Sequence, residues 1–172
     1  MNNFVSIIAA AGKSTRYSGR VPKQFLKVDK RTVLELSIRP LLDFSECLGV
    51  CVVIPPEDHY HKSLTIKNNP KIFFAEGGKA RIESVAKGVK FWEQSDLSYD
   101  YILIHDAARP CLRSSDIQKL LNSLNNNIDG AILGVPCSDT IKEVSAKDLV
   151  ILKTLDRNKL WRAFTPQIFK KG

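Results

Sequence analysis

Short apolar, β-prone runs recur at 5–9, 49–54, 71–75, 101–105 and 130–135, and several of the segments between them carry helical spacing. Strands alternating with helices predict a parallel sheet. Between the first two runs, Thr32-Val33-Leu34-Glu35 has the form of a capping box, followed by Leu36, Ile38, Leu41 and Leu42. A helix is expected from Val33, bent or shortened by Pro40. After Gly77-Gly78, the residues Ile82, Val85, Ala86, Val89 and Trp92 form one apolar stripe at helical offsets. A third helix, capped by Ser114 or Ser115, is expected to carry Ile117, Leu120, Leu121 and Leu124 and to break at the run of three asparagines from Asn125. From Val135 the pattern changes: 140–144 and 149–154 are β-prone and joined by polar residues with no helix between, which reads as an antiparallel hairpin leaving the sheet. No closing helix is predicted between it and Lys171-Gly172.

Composition adds limits. With 172 residues, 44% hydrophobic and 26% charged, the chain suits one domain with a real core. The formal charge of +8 favours anionic partners without choosing between phosphates and nucleic acid. Apolar stretches are far short of the roughly 18 residues of a membrane span. The small-residue run Ala9-Ala10-Ala11 follows too short an apolar stretch for an export signal, so the N-terminus reads as mature and cytoplasmic. Cys47, Cys51, Cys111 and Cys137 contain no CxxC pair, and read as reduced, mostly structural thiols.

The candidate chemistry starts where the first strand meets Ala10-Ala11-Gly12-Lys13-Ser14-Thr15-Arg16. Small residues let backbone N–H groups approach a ligand, and Arg16, Arg20 and Lys23 follow, which together suggest a polyphosphate cradle. A Walker A loop is excluded because its first glycine would fall on Ile7, and the dinucleotide fingerprint fails for lack of glycines. An ordinary tight turn would look similar at this level.

Four ordered blocks sharpen the reading: Ala10-Ala11-Gly12-x-Ser14-x-Arg16 with Pro22-Lys23-Gln24; Gly77-Gly78-x-x-Arg81-x-x-Ser84-Val85; His105-Asp106-Ala107-Ala108-Arg109-Pro110; and Asp156-Arg157-Asn158-x-Leu160-Trp161-x-Ala163-x-Thr165-Pro166-Gln167. Together they resemble the 2-C-methyl-D-erythritol 4-phosphate cytidylyltransferases of the non-mevalonate isoprenoid pathway. Ser14 departs from the glycine many members carry, but it is small enough to keep the loop near phosphate. The resemblance implies a Rossmann-like α/β nucleotidyltransferase fold, a mainly parallel sheet flanked by helices, as a single domain over 1–172 with 136–158 as a β-hairpin dimerisation arm. It also implies that family members continue beyond the position of Gly172, with an aspartate and a lysine for metal and phosphate contacts, so that the C-terminal part of the family domain is expected to be absent here, either through an omitted tail or in a truncated product.

The same resemblance implies transfer of CMP from CTP to 2-C-methyl-D-erythritol 4-phosphate, releasing pyrophosphate, with Arg16 and Lys23 as the catalytic cations and Mg²⁺ bridging the phosphates. Asp106 ends a predicted strand at the sheet edge where such folds place ligands, and a carboxylate there suits oxygen-ligated Mg²⁺; a turn or N-cap aspartate is the plainer reading. Nucleotide contacts are expected from Ala10, Ala11, Gly12, Gly78, Lys79 (through its backbone), Ser84, Asp106 and Ala107, with Gly77 and Gly78 letting the cytosine lie close. Substrate contacts are expected from Arg109 and Thr165, and from Thr140 and Arg157 reaching across to a neighbouring subunit of a homodimer. For Arg16 and Lys23 the plain alternative is a solvated basic loop, and for Arg157 an ion pair with Asp156 or Asp139. Trp161 and Phe164 read as packing residues. His59 and His61 read as exposed, with no carboxylate or cysteine pattern beside them, and His105, beside Asp106, as a residue that orients the motif rather than exchanging protons.

Two rivals remain. Ribitol-5-phosphate cytidylyltransferases share the loop and scaffold, although Ala108 and the Asp156 block lean toward methylerythritol phosphate. A nucleic-acid-binding module would use the +8 charge, but no helix concentrates the basic residues and no recognition motif is present. No nucleic-acid or membrane partner is therefore expected.

Overall fold

The elements, in chain order, are β1 (Phe4–Ala9), β2 (Lys27–Val28), β3 (Arg31–Thr32), α1 (Val33–Leu42), β4 (Cys47–Ile54), β5 (Ile72–Glu76), α2 (Arg81–Glu93), β6 (Tyr101–Asp106), α3 (Ser114–Ser123), β7 (Gly130–Pro136), β8 (Lys142–Val144), β9 (Ile151–Thr154) and β10 (Trp161–Lys170). The computed structural model describes residues 2–12, 19, 21–125 and 127–172. Six strands form one sheet in the order β5-β4-β1-β6-β10-β7. The β5, β4, β1 and β6 ladders are parallel, and β10 runs antiparallel to both its neighbours.

The central strands read as apolar runs because both faces are covered. On one face, Phe4 and Ile8 of β1 pack with Leu34, Ile38 and Leu41 of α1 and with Ile117 and Leu120 of α3. On the other, Val5 and Ile7 pack with Cys51, Val53 and Trp92. Burial pushes the Cys47 thiol up to about 11 and Cys51 to about 12, as expected of structural thiols. Among the described residues no helix is long and apolar enough to cross a membrane.

The capping box forms as the spacing predicts: Glu35 N–H donates to Thr32 Oγ1, and the Glu35 carboxylate accepts from the Thr32 N–H at 2.7 Å. Pro40 does not stop α1 at once; the helix runs on to Leu42, because a proline in the last turn removes little of the ladder. The stripe expected on α2 is rotated. Ile82 is 77% exposed and Ala86 is exposed, while Ser84, Gly88 and Trp92 are buried. The cause is close approach: a Cβ on Gly88 would lie 2.7 Å from Ile7, so the helix seats its small residues, which apolar counting overlooks, on β1. For α3 the N-cap is Arg113 rather than Ser114 or Ser115, with no side-chain cap.

The strand β10 is the main element the pattern misses. Pro166 argues against a central strand, yet it falls in a register irregularity between Ala163 and Gln167, where no pairing bond is asked of it. The hairpin is present as β8 and β9, paired antiparallel and outside the main sheet. Trp161 at its base is 65% exposed within the single chain and so is not a core residue.

Glu35 also crosses to the segment after β4. Its second oxygen accepts from the Thr65 N–H at 2.6 Å and the Thr65 hydroxyl at 2.7 Å, while the residue is only 3% exposed. Burial alone would raise this carboxyl, but the bonds from Thr32 and Thr65 outweigh it and hold its pKa below the ordinary 4.5. A carboxyl lowered on folding stabilises above its unfolded pKa, and that contribution is lost as pH falls through the folded value. Glu35→Ala is expected to cost about 2–4 kcal/mol at neutral pH and to flatten the loss of stability below pH 4.5, as read from urea unfolding across pH.

Candidate active site

Three loops leave the same edge of the sheet. Ala9, the last residue of β1, pairs with Val53 of β4 and with Asp106 of β6, so β1 and β6 end level and on either side of the point where the strand order reverses. Ligands bind at such switch points in open parallel sheets. Beyond Ala9, the Ala10 N–H donates to Val53 O at 2.9 Å, and the Ala107 N–H reaches Ala9 O at 3.4 Å. Ala10, Ala11 and Ala107 are buried, whereas Gly12 is exposed, with nothing among the described residues within 4 Å of a Cβ position.

Lys23 sits in a short 3₁₀ turn, Lys23–Phe25, and its side chain is exposed. The next residue anchors it. Gln24 is 3% exposed and donates from Nε2 to Ala10 O at 2.8 Å, while Phe25 is buried and stacks on Tyr60. The basic turn is thereby tied to the small-residue loop. Arg16, with Lys13, Ser14 and Arg20, lies outside the described residues.

The second loop follows β5. Gly77 packs so closely on Ala11 that a Cβ would fall 2.4 Å from the alanine's, and its N–H donates to Ile54 O at 2.7 Å. Lys87 Nζ donates to Gly77 O at 2.8 Å. Ser84 Oγ accepts from the Gly78 N–H at 3.1 Å and donates to Ala80 O at 3.1 Å, and Glu83 accepts from the Lys79 N–H at 2.8 Å. Gly77's missing side chain is filled by Ala11, and the Ser84 hydroxyl holds the loop's shape.

Asp106 is held between two arginines. Its Oδ1 accepts from Arg81, with Nε at 3.1 Å and Nη2 at 3.0 Å, and its Oδ2 accepts from Arg109 Nε at 2.8 Å. Burial alone would raise its pKa, but the Arg109 bond and the Arg81 charge outweigh this and hold the carboxyl below the ordinary carboxylate range. Arg81 stands in the second sequence block, but the pattern gives it no role. The signal lay in the two glycines before it, which put an exposed cation at the first turn of α2 beside the end of β6.

His105 is 1% exposed and burial is the main cause holding its pKa below the ordinary value. Its Nε2 lies 3.2 Å from Arg109 O, which only accepts, so the neutral ring carries its proton there. Its Nδ1 therefore accepts from the Thr165 hydroxyl at 3.0 Å, and Thr165 Oγ1 in turn accepts from the Asp106 N–H at 3.3 Å. The bulge in β10 turns Thr165 toward this corner. A cleft of about 590 Å³ opens beside it, lined among others by Arg109, Leu133, Val135, Phe164 and Thr165.

Thr140 and Arg157 stand on the arm. Arg157 is exposed and donates from Nη1 to Ser138 O at 3.0 Å, not to Asp156 or Asp139. Among the described residues no hydrogen bond or ion pair joins the arm pair to Asp106 or Arg109. Of the two histidines read as lacking a carboxylate, His59 is exposed, but His61 is half-buried with Asp58 Oδ2 2.7 Å from its Nδ1. No group of three His, Cys, Asp or Glu that could hold a metal occurs among the described residues.

The comparisons with known proteins agree with this geometry. The family model of 2-C-methyl-D-erythritol 4-phosphate cytidylyltransferase (IspD) matches residues 4–172. A protein of that name from Vibrio vulnificus (strain YJ016) is 38% identical over 170 residues, covering 99% of this chain and 71% of the relative. One from Wigglesworthia glossinidia brevipalpis is 40% identical over 166 residues, covering 96% and 70%. Among solved structures, a 4-diphosphocytidyl-2C-methyl-D-erythritol synthase superposes with TM-score 0.81 at 33% identity, covering 99% of this chain and 75% of that one. The Francisella tularensis enzyme gives 0.76 at 29%, covering 98% and 73%. With the match running through all three loops and both strands that flank them, the chain belongs to the 2-C-methyl-D-erythritol 4-phosphate cytidylyltransferase family.

Proposed function

We propose that the protein transfers CMP from CTP to 2-C-methyl-D-erythritol 4-phosphate, forming 4-diphosphocytidyl-2-C-methyl-D-erythritol and pyrophosphate in isoprenoid biosynthesis. The observation that carries the reading is the meeting of three loops at one sheet edge: Ala11 against Gly77, and Asp106 level with Ala9 and flanked by Arg81 and Arg109. A triphosphate lies along Ala10, Ala11 and Gly12, with the base toward Gly78, Lys79 and Ser84 and the ribose by Ala107. The cleft beside Arg109 and Thr165 receives the acceptor phosphate, its apolar wall at Leu133 and Phe164 facing the carbon chain.

An oxygen of the acceptor phosphate forms a bond to the α-phosphorus while the bond to the bridging oxygen breaks and pyrophosphate leaves. A phosphate dianion needs no general base near neutral pH, so positioning and charge stabilisation carry the rate. Lys23, held through Gln24, and Arg16 meet the charge on the α-phosphoryl oxygens and the leaving group. The donor set fits a magnesium ion that takes one carboxylate from the protein and its other oxygens from phosphates and water, since Asp106 is ionised and its Oδ2, which accepts from Arg109 Nε, keeps a lone pair. Bound there, Mg²⁺ would neutralise phosphate charge.

The arm supports assembly as a homodimer. Val144, Leu149, Val150, Ile151 and Leu152 are 46–76% exposed, a density of apolar side chains that marks an interaction surface. Thr140 and Arg157 on that arm reach the neighbouring subunit's acceptor phosphate, Arg157 as a planar fork. The enzyme works in the cytoplasm, where its free cysteines stay reduced.

Pyrophosphate release from CTP with methylerythritol phosphate tests the reading; a preference for ribitol 5-phosphate overturns the acceptor, and salt-sensitive RNA binding without turnover overturns the class. Lys23→Ala is expected to lower kcat about 10²–10³-fold with a much smaller change in CTP affinity, as separated by steady-state kinetics and calorimetry. Arg157→Ala is expected to weaken the acceptor and spare CTP. Mixed with Lys23→Ala, it should regain about a quarter of wild-type activity through heterodimers that carry one intact site; no regain on subunit exchange argues against shared sites.

A further inference from the structure

We infer that Arg81 is a positioning residue that bars free divalent cations from Asp106, so that the metal enters only together with the triphosphate. This rests on the reading of Asp106 as the metal's carboxylate. Both of its oxygens are engaged by guanidinium groups, Oδ1 by two nitrogens of Arg81 and Oδ2 by Nε of Arg109. Two positive charges surround one negative charge, so a bare M²⁺ meets a cluster of net charge +1, and Oδ1, which accepts from two Arg81 nitrogens, is closed to it until those bonds break. A triphosphate reverses that balance: its oxygens are stronger partners for the guanidinium forks than a shared carboxylate, and drawing Arg81 away opens Oδ1.

Position makes Arg81 the group suited to this exchange. It is the first residue of α2, directly after the loop proposed to hold the base, and its side chain is 53% exposed while that of Asp106 is 28% exposed. Arrival of the base and opening of the carboxylate are therefore linked through three residues of chain. Arg109, the other clamp, is committed to the acceptor cleft. A merely structural tie between α2 and the end of β6 would give the same contact but no competition with metal, and that difference is measurable.

The test is Mn²⁺ binding without nucleotide, followed by electron paramagnetic resonance, on wild type, Arg81→Gln, Arg81→Lys and Asp106→Asn, with thermal melting to confirm folding. Arg81→Gln is expected to tighten Asp106-dependent Mn²⁺ binding about tenfold or more, and Arg81→Lys, which keeps the charge without the fork, by less. Adding Asp106→Asn to Arg81→Gln should abolish the gain. With CTP present, wild type should bind Mn²⁺ and the difference between wild type and Arg81→Gln should shrink. Unchanged Mn²⁺ affinity in both folded Arg81 variants overturns the inference, as does a gain that survives Asp106→Asn. If Asp106→Asn leaves Mn²⁺ binding with CTP intact, the metal reading of Asp106 fails instead.

Discussion

The structure depends on the two parallel ladders that hold β1. Because Ala9 is paired on one side to Val53 and on the other to Asp106, the backbone hydrogen bonds of buried strands fix where the three site loops begin. These bonds lie in a dry core, where an unmade backbone bond is costly, so the edge is set before any side chain at the site is considered. Gly88 and Trp92 then press α2 onto β1, with the Trp92 indole N–H donating to Ser6 O at 3.0 Å. That packing carries Arg81, at the other end of α2, to Asp106.

Upon this frame the charge is arranged sparingly. The chain's excess of cations favours polyanions over a distance set by ionic strength, and among the described residues several of those cations are placed by specific partners. Gln24 places Lys23 through Ala10, and Asp106 places Arg81 and Arg109. The inner shell behind Asp106 is neutral: the His105 ring, the Thr165 hydroxyl and backbone groups satisfy one another in a chain whose proton directions are fixed by the Arg109 carbonyl. Such a shell orients the carboxylate without adding charge that would compete with ligand.

Much of this was legible in the sequence. Apolar runs located β1, β4, β5 and β6 because strands of a covered parallel sheet carry apolar side chains on both faces, and a further run located β7, although it is antiparallel and largely exposed at the sheet edge. The capping box located α1 because its two hydrogen bonds require those residue types at that spacing. The loop residues could be grouped from their ordered blocks, but not their partners. That Ala11 fills the space above Gly77, or that Thr165 gives its hydrogen to His105 across 60 positions, depends on tertiary contacts with no local pattern. Strand β10 was hidden by Pro166, whose cost is removed by a bulge visible only in the pairing. The face of α2 was misread because Ser84 and Gly88 bury themselves by being small, and Arg81 gained no role because its partner lies 25 residues away.

A crystal structure of the protein with CTP and Mg²⁺ addresses the central claim most directly, that the edge shared by β1, β5 and β6 is the nucleotide site. The account predicts the triphosphate along Ala10–Ala11–Gly12, the cytosine against Gly78 and Lys79, and the α-phosphoryl group between Lys23 and Asp106. Nucleotide bound at the opposite edge of the sheet, or bound at this edge with its phosphates directed away from Lys23 and Asp106, would contradict it.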